Sequence, residues 1–212
     1  MRPPTPADAP APAPGPPSIS DELAAWLEGD GEKTLAGLVD VFDEKAFALL
    51  FVLLLGVSAL PLPTGGATHV FDVVAVLVAA QLVAGRERIT IPRRWQGLRL
   101  DGPKQQRFLD GLLRGIRRLE RVSRPRARWL FDRRATNILF GLAVIGLTAA
   151  AFFAPPFSGL DTLPALGVVV LSLGVLLEDA LVAAAGVVVG IVGVSLEVAL
   201  GSAAVHGISS LF

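Results

Sequence analysis

Cysteine is absent from all 212 residues, which excludes disulfides, thiolate metal sites and a cysteine nucleophile together. The redox compartment is left open by the same absence. Aromatic residues are scarce at 7%. Lysine and arginine disappear altogether after Arg134. The first 17 residues are dominated by Pro and Ala and lack a basic segment followed by an apolar run, so no cleavable signal peptide is expected there. Such a stretch cannot bury enough apolar surface to offset chain entropy, and a disordered tail is expected over residues 1–17.

What is present is apolar: 52% of the chain is hydrophobic, with 22 glycines, more than a soluble domain of this size usually carries. The charges are segregated. Sixteen of the 19 Lys and Arg residues lie between Arg86 and Arg134, and long apolar stretches flank that block on both sides. The zero net charge therefore conceals a strongly basic segment and an acidic remainder. This is the pattern of an integral membrane protein whose short basic loop stays in the cytoplasm, and a multi-pass bacterial inner-membrane location is expected.

The chain divides on composition into six parts. After the tail, residues 18–45 form an acidic stretch with apolar residues at helical spacing (Leu23, Trp26, Leu27, then Leu35, Leu38, Val41, Phe42), broken near Gly29 to Gly31; Ser20 is the expected N-cap. Residues 46–85 are a first hydrophobic hairpin that turns at Pro61-Leu62-Pro63-Thr64-Gly65-Gly66. Residues 86–135 are the basic linker, in which Phe108, Leu109, Leu112, Leu113, Ile116, Leu119 and Val122 make one helical stripe. Residues 136–178 are a second hydrophobic hairpin, and residues 179–212 hold a final transmembrane helix, running to about Leu200, with a short tail. The expected fold is all-α.

Sliding the chain by 93 residues places Phe47 on Phe140, Leu49 on Leu142, Leu54 on Leu147, Pro63 on Pro156 and Gly66 on Gly159. The order of features also repeats: apolar arm, Pro turn, Gly, polar residue, apolar arm, charged stop. An internal duplication is read from this, giving parallel repeats about an axis along the membrane normal. Arms of about 16 residues cover only ~24 Å against a hydrocarbon core of ~30 Å. The hairpins are therefore either re-entrant or thin the bilayer, and a Pro-Gly turn at membrane depth must be covered by protein or line a wet cavity.

The basic stripe-bearing helix is read as lying on an anionic leaflet through Arg86, Arg88, Arg93, Arg94, Arg114, Arg117, Arg118 and Arg121. Nucleic acid is not the expected partner, because the segment is tethered at both ends to apolar arms and lacks interleaved stacking aromatics. Trp95 and Trp129 read as headgroup-level anchors. In the final helix, Gly186, Gly190 and Gly193 allow close approach of another helix.

The run LLGVSALPLPTGGATHVFDVVAVLVAAQLVAGRERITIPRRW, residues 54–95, resembles the signature of the ExoD family of exopolysaccharide-synthesis membrane proteins. It shares the Pro-Leu-Pro turn, a small polar stretch, an apolar arm ending in Gln-Leu-x-x-Gly-Arg, and a later Pro-Arg-Arg. The resemblance extends over residues 34–200 and implies a bacterial inner-membrane protein tied to exopolysaccharide production. Members often carry Trp-Leu-Pro-Arg-Arg where this chain has Thr90-Ile91-Pro92-Arg93-Arg94. The family brings no reaction with it, so no catalytic residue is carried over.

Polar residues inside apolar arms are costly and tend to face an interior path. His69 and Asp72 share a helix face, either as a structural pair closing the turn or as a proton relay or general base. No Ser, Cys or second His completes a nucleophilic or metal constellation, and His206 stands alone. Thr64, Gly65, Gly66 and Thr68 before the second arm, with Ser158, Gly159 and Thr162 at the corresponding turn, could present backbone N–H groups to an anion; equally, glycine makes the turn and threonine caps it. Gln81 is read as bonding a neighbouring helix, and Glu197 as interfacial or paired with an arginine. No cofactor and no metal is expected. The partners expected are membrane lipids, a polyprenyl phosphate among them, polysaccharide-synthesis proteins, or a second copy of the chain. The leading reading is binding or transport of an anionic lipid or lipid-linked precursor. A non-catalytic scaffold for polysaccharide synthases and an intramembrane hydrolase using His69 and Asp72 are the alternatives.

Overall fold

The computed structural model describes residues 18–42, 45–59, 68–86, 88–90, 96–97, 99–100, 102–123, 128–131, 133–154 and 159–209. Among them the regular structure is helical, with an isolated antiparallel bridge between Thr34 and Arg99 as the extended feature. Helices α1 (Ile19–Glu28) and α2 (Leu35–Phe42) flank the glycine break. The N-cap of α1 is Ser18, not Ser20: the Ser18 hydroxyl accepts from the Asp21 N–H at 3.2 Å. Ser20 is buried and turned the other way, its N–H and its hydroxyl both donating to the Glu120 carboxylate.

Helix α3 (Ala46–Gly56) has no polar face, and a helix hydrophobic all round must be covered all round. Phe47, Ala48, Leu49, Leu50, Phe51, Val52 and Leu55 are all buried. Helix α4 (Thr68–Val83) returns beside it and ends at Gly85. The basic segment supplies α5 (Pro103–Val122) and the single turn α6 (Arg128–Phe131). The second hairpin is α7 (Arg134–Phe153) and α8 (Thr162–Leu176), followed by α9 (Ala180–Ser209), which runs past the expected end near Leu200. Two helices, Arg134–Phe153 and Ala180–Ala203, are long and apolar enough to cross a membrane; α3, α4 and α8 are apolar but shorter.

The hairpins interlock crosswise. Within the four-helix core, α3 lies mainly along α8, and α4 mainly along α7. Gly85 meets Arg134, Ala79 and Val83 meet Gly141, and His69 meets Phe152, so α4 and α7 are antiparallel. The Phe51 and Phe140 rings pack edge to face, 5.6 Å between centroids, where the two first arms meet. Helix α9 then closes on α8 through glycines: Gly167 faces Gly190, Gly174 faces Ala183 and Gly186 faces Leu171, backbone against backbone. Any side chain larger than hydrogen would hold these axes apart.

Helices α4 and α8 end alike. The Gly85 N–H bonds the Leu82 carbonyl and the Arg86 N–H the Gln81 carbonyl, each at 3.0 Å; the Glu178 N–H bonds Val175 at 3.1 Å and the Asp179 N–H bonds Gly174 at 2.9 Å. Both are Schellman stops, which need a left-handed residue. Gly85 has φ +79 and Glu178 has φ 54. The two residues stand 93 positions apart, the offset that aligned the hairpins. Asp179 also caps α9, accepting from the Leu181 N–H, while its second oxygen accepts from the Ser123 hydroxyl; both bonds are 2.9 Å.

The apolar stripe of α5 meets protein as well as whatever lies outside. Leu109 and Ile116 are buried, α1 packs against the helix, and the Phe108 ring fills the space over Gly56. Arg107, Arg114, Arg117, Arg118 and Arg121 stay exposed. Gln81 bonds its own following loop rather than another helix, its Oε1 accepting from the Thr90 N–H at 2.8 Å. Trp129 is exposed, with the Arg133 guanidinium stacked 4.5 Å over its ring.

Candidate functional site at the turn end

The antiparallel packing sorts the polar residues of the apolar helices to one end of the bundle, where the hairpins turn. Asp72 stands one turn into α4, its side chain 4% exposed, with Oδ2 3.4 Å from Nδ1 of His69. Its other oxygen, Oδ1, is buried and has no hydrogen-bond partner among the described residues. The His69 ring is a third exposed and rests on Phe152 at 4.8 Å, 57° out of parallel. One helical turn back from Phe152 is Thr148, level with Asp72 by the antiparallel register of α4 and α7. The Thr148 hydroxyl is likewise buried without a partner among the described residues, as are those of Ser58 and Ser172.

Two further carboxylates reach the same end. Asp161 immediately precedes α8, and Glu197 lies one turn beyond Gly193, which faces Leu163 and Pro164. The Asp161 carboxylate is close enough to act electrostatically on both Asp72 and Glu197. Glu197 Oε2 is buried and without a partner among the described residues. Buried polar groups are normally hydrogen-bonded, and each exception asks for an explanation such as water, a proton or a ligand. Several exceptions at one end of an apolar bundle point to a wet interior there.

Of the expected site residues, His69 and Asp72 are brought together as the spacing required. Gly159 adopts φ +69 and Thr162 opens α8. Thr64, Gly65, Gly66 and Ser158 lie outside the described residues, as do Arg93, Arg94 and Trp95, and of Thr68 only the backbone is described. Asp161 and Thr148 were not among the expected site residues, and Glu197 was expected only as an interfacial or arginine-paired group. Asp161 was visible only as the polar residue after the second turn; no spacing links it to Glu197, which comes from a third helix. No group of three or more metal-ligating side chains forms among the described residues.

This geometry defines a helical protein of interlocked apolar hairpins with two helices of membrane-spanning length and a polar interior at one end. The chain belongs to the ExoD exopolysaccharide synthesis family, whose model matches residues 19–199. It is also 32% identical to an uncharacterized protein of Synechocystis sp. over 151 residues, covering 71% of this chain and 70% of the relative. No solved structure matches it. The family is membrane-associated and its name ties it to exopolysaccharide synthesis.

Proposed function

We propose that this chain is a multi-pass protein of the bacterial inner membrane that supports exopolysaccharide synthesis by binding or carrying an anionic lipid or lipid-linked precursor. The observation that carries the reading is the set of buried, unpartnered polar atoms on Asp72, Thr148 and Glu197 within apolar helices, unpartnered among the described residues. Polar groups at membrane depth are expensive and mark a path for a polar passenger or a proton. The carboxylates at this end would repel an anion, so its part in the carrying is a proton path, with His69 and Asp72 the pair able to pass the proton.

Two observations support a duplicated, re-entrant architecture. The crosswise pairing of α3 with α8 and of α4 with α7, together with the matching Schellman stops, has the arrangement of two copies related by a two-fold axis along the membrane normal. Helix α3, with 11 residues, covers only about 16 Å. Its far end at Gly56 touches Phe108 of the arginine-bearing helix, which the positive-inside rule keeps cytoplasmic. A first arm in touch with a cytoplasmic helix at its far end dips into the bilayer rather than crossing it.

The test is Asp72→Asn in the intact protein in its host membrane. Exopolysaccharide output should fall at least about ten-fold, the factor general acid–base or relay groups commonly supply, with unchanged protein level. Output equal to the parent would overturn the reading.

A further inference from the structure

The opposite end of the bundle, where the basic segment attaches, contains a cavity of about 480 Å³, within the range of small-molecule sites. It lies between the starts of α3 and α7 and the Schellman stops of α4 and α8. Among the described residues three cations line it, Lys45, Arg86 and Arg134, against one carboxylate, Glu178. That described lining is positive on balance, the sign that attracts a phosphate monoester. Glu178 occupies Lys45 at 3.3 Å, and Arg86 donates to the Thr90 hydroxyl at 2.8 Å. No carboxylate pairs with Arg134 among the described residues.

The backbone favours the same charge. Helices α3 and α7 both start at the cavity, and neither N-cap side chain, Lys45 or Arg133, makes a capping hydrogen bond. Uncapped helix starts carry partial positive charge and donate to anions. The negative ends of α4 and α8 also arrive here, with the Gln81, Leu82, Gly174 and Val175 carbonyls occupied by the Schellman bonds. Behind the charged rim the wall is apolar, with Phe47 and Phe140, the pair found 93 positions apart, and Leu82 and Val175. A charged mouth over an apolar wall fits an amphiphile whose phosphate is held at the rim.

We propose that this cavity is a phosphate-monoester site in which Arg134 is the principal ligand, Arg86 and Lys45 complete the charge, and Glu178 competes with the anion for Lys45. The inference deepens the anionic-lipid role and rests on it for the ligand class alone; the site is separate from the turn end. The phosphate can come from a lipid or from a soluble ester, and the two sources are separable by experiment.

The purified full chain in detergent is titrated with short-chain phosphatidic acid and, separately, with glycerol 3-phosphate. Saturable binding is expected. Arg134→Gln should weaken it at least about ten-fold, as loss of a charged hydrogen bond does. Glu178→Gln should strengthen it a few-fold, a gain that a misfolded variant cannot mimic. Binding of phosphatidic acid alone assigns a lipid source, and comparable binding of both probes assigns a soluble ester. No saturable binding of either, or an Arg134→Gln variant that binds like the parent, overturns the proposal. Failed binding alongside a damaging Asp72→Asn sinks only this site, whereas intact binding with a harmless Asp72→Asn sinks only the turn-end reading.

Discussion

Helix α3 is mostly enclosed by protein, with Leu53 and Leu54 half-buried, whereas α7, the first arm of the other hairpin, leaves Leu139, Leu142 and Phe153 exposed. The covers differ in kind. Helix α3 lies beside α1, α2 and α5, a jacket of amphipathic helices with charged outer faces, whereas α4 exposes Val70, Phe71, Val73 and Leu77, and α9, behind the second hairpin, exposes Leu181, Val188, Ile191, Val192 and Val198. Hydrocarbon has no driving force to drive these side chains inward, so exposed apolar faces are stable only in lipid. The difference teaches that the two first arms are covered in two ways, α3 by amphipathic helices and α7 beside apolar surface that the fold leaves open on α4 and α9.

The largest effect should come from overfilling the lipid-side seam. A side-chain carbon on Gly186 would sit 2.1 Å from the Leu171 nitrogen, and backbone cannot step aside as a side chain can. Gly186→Leu should abolish recovery of folded, monodisperse protein on size exclusion. Gly56→Ala, in the protein-side seam, meets only the Phe108 ring and should cost about 1 to 3 kcal/mol, the usual range for overpacking. Equal losses from the two would erase the contrast.

Next in size is the clamp that holds the jacket. Ser20→Ala removes a hydroxyl donated to a carboxylate and should cost roughly 1.5 to 3 kcal/mol. It should speed proteolysis within α1 while leaving α9 as protected as before. Cleavage accelerating equally in both halves would show that the jacket is not a separable unit.

The smallest effect compares the two helix stops. Gly85→Ala places a Cβ at φ +79 and against the Arg134 guanidinium, costing about 1 to 2 kcal/mol. Glu178→Ala keeps the backbone cost already present and gives up the part-exposed ion pair with Lys45, a contribution of about 1 kcal/mol or less. Thermal melts in one detergent should rank Gly85→Ala below Glu178→Ala; the reverse order would deny the two stops their equivalence.

The hairpins, the basic linker and the helix break at Gly29 to Gly31 were legible because hydropathy and charge are local properties. What an apolar face touches is not local. The stripe of α5 was visible, but that Leu109 and Ile116 would be buried under protein rather than meet lipid depends on α1, far off in sequence. Ser20 looked the better cap until Glu120 claimed it. In the candidate site, the pairing of His69 with Asp72 followed from a spacing of three, whereas the arrival of Asp161 and Glu197 is set by how α8 and α9 dock. The second Schellman stop was hidden because Glu178 stands where glycine is the usual signal.

The carboxylates of Asp72, Asp161 and Glu197 at the turn end and the cations Lys45, Arg86 and Arg134 at the other end of the four-helix core have an electrical consequence. In the orientation proposed, an energised membrane, negative inside, draws the arginine-bearing end inward, and each elementary charge crossing 100 mV changes energy by about 2.3 kcal/mol. A proton received by the carboxylates at the far end is pulled in the same direction. The voltage that holds the molecule the right way round would thus also load its acidic end, so that collapsing the gradient should silence the protein without unfolding it.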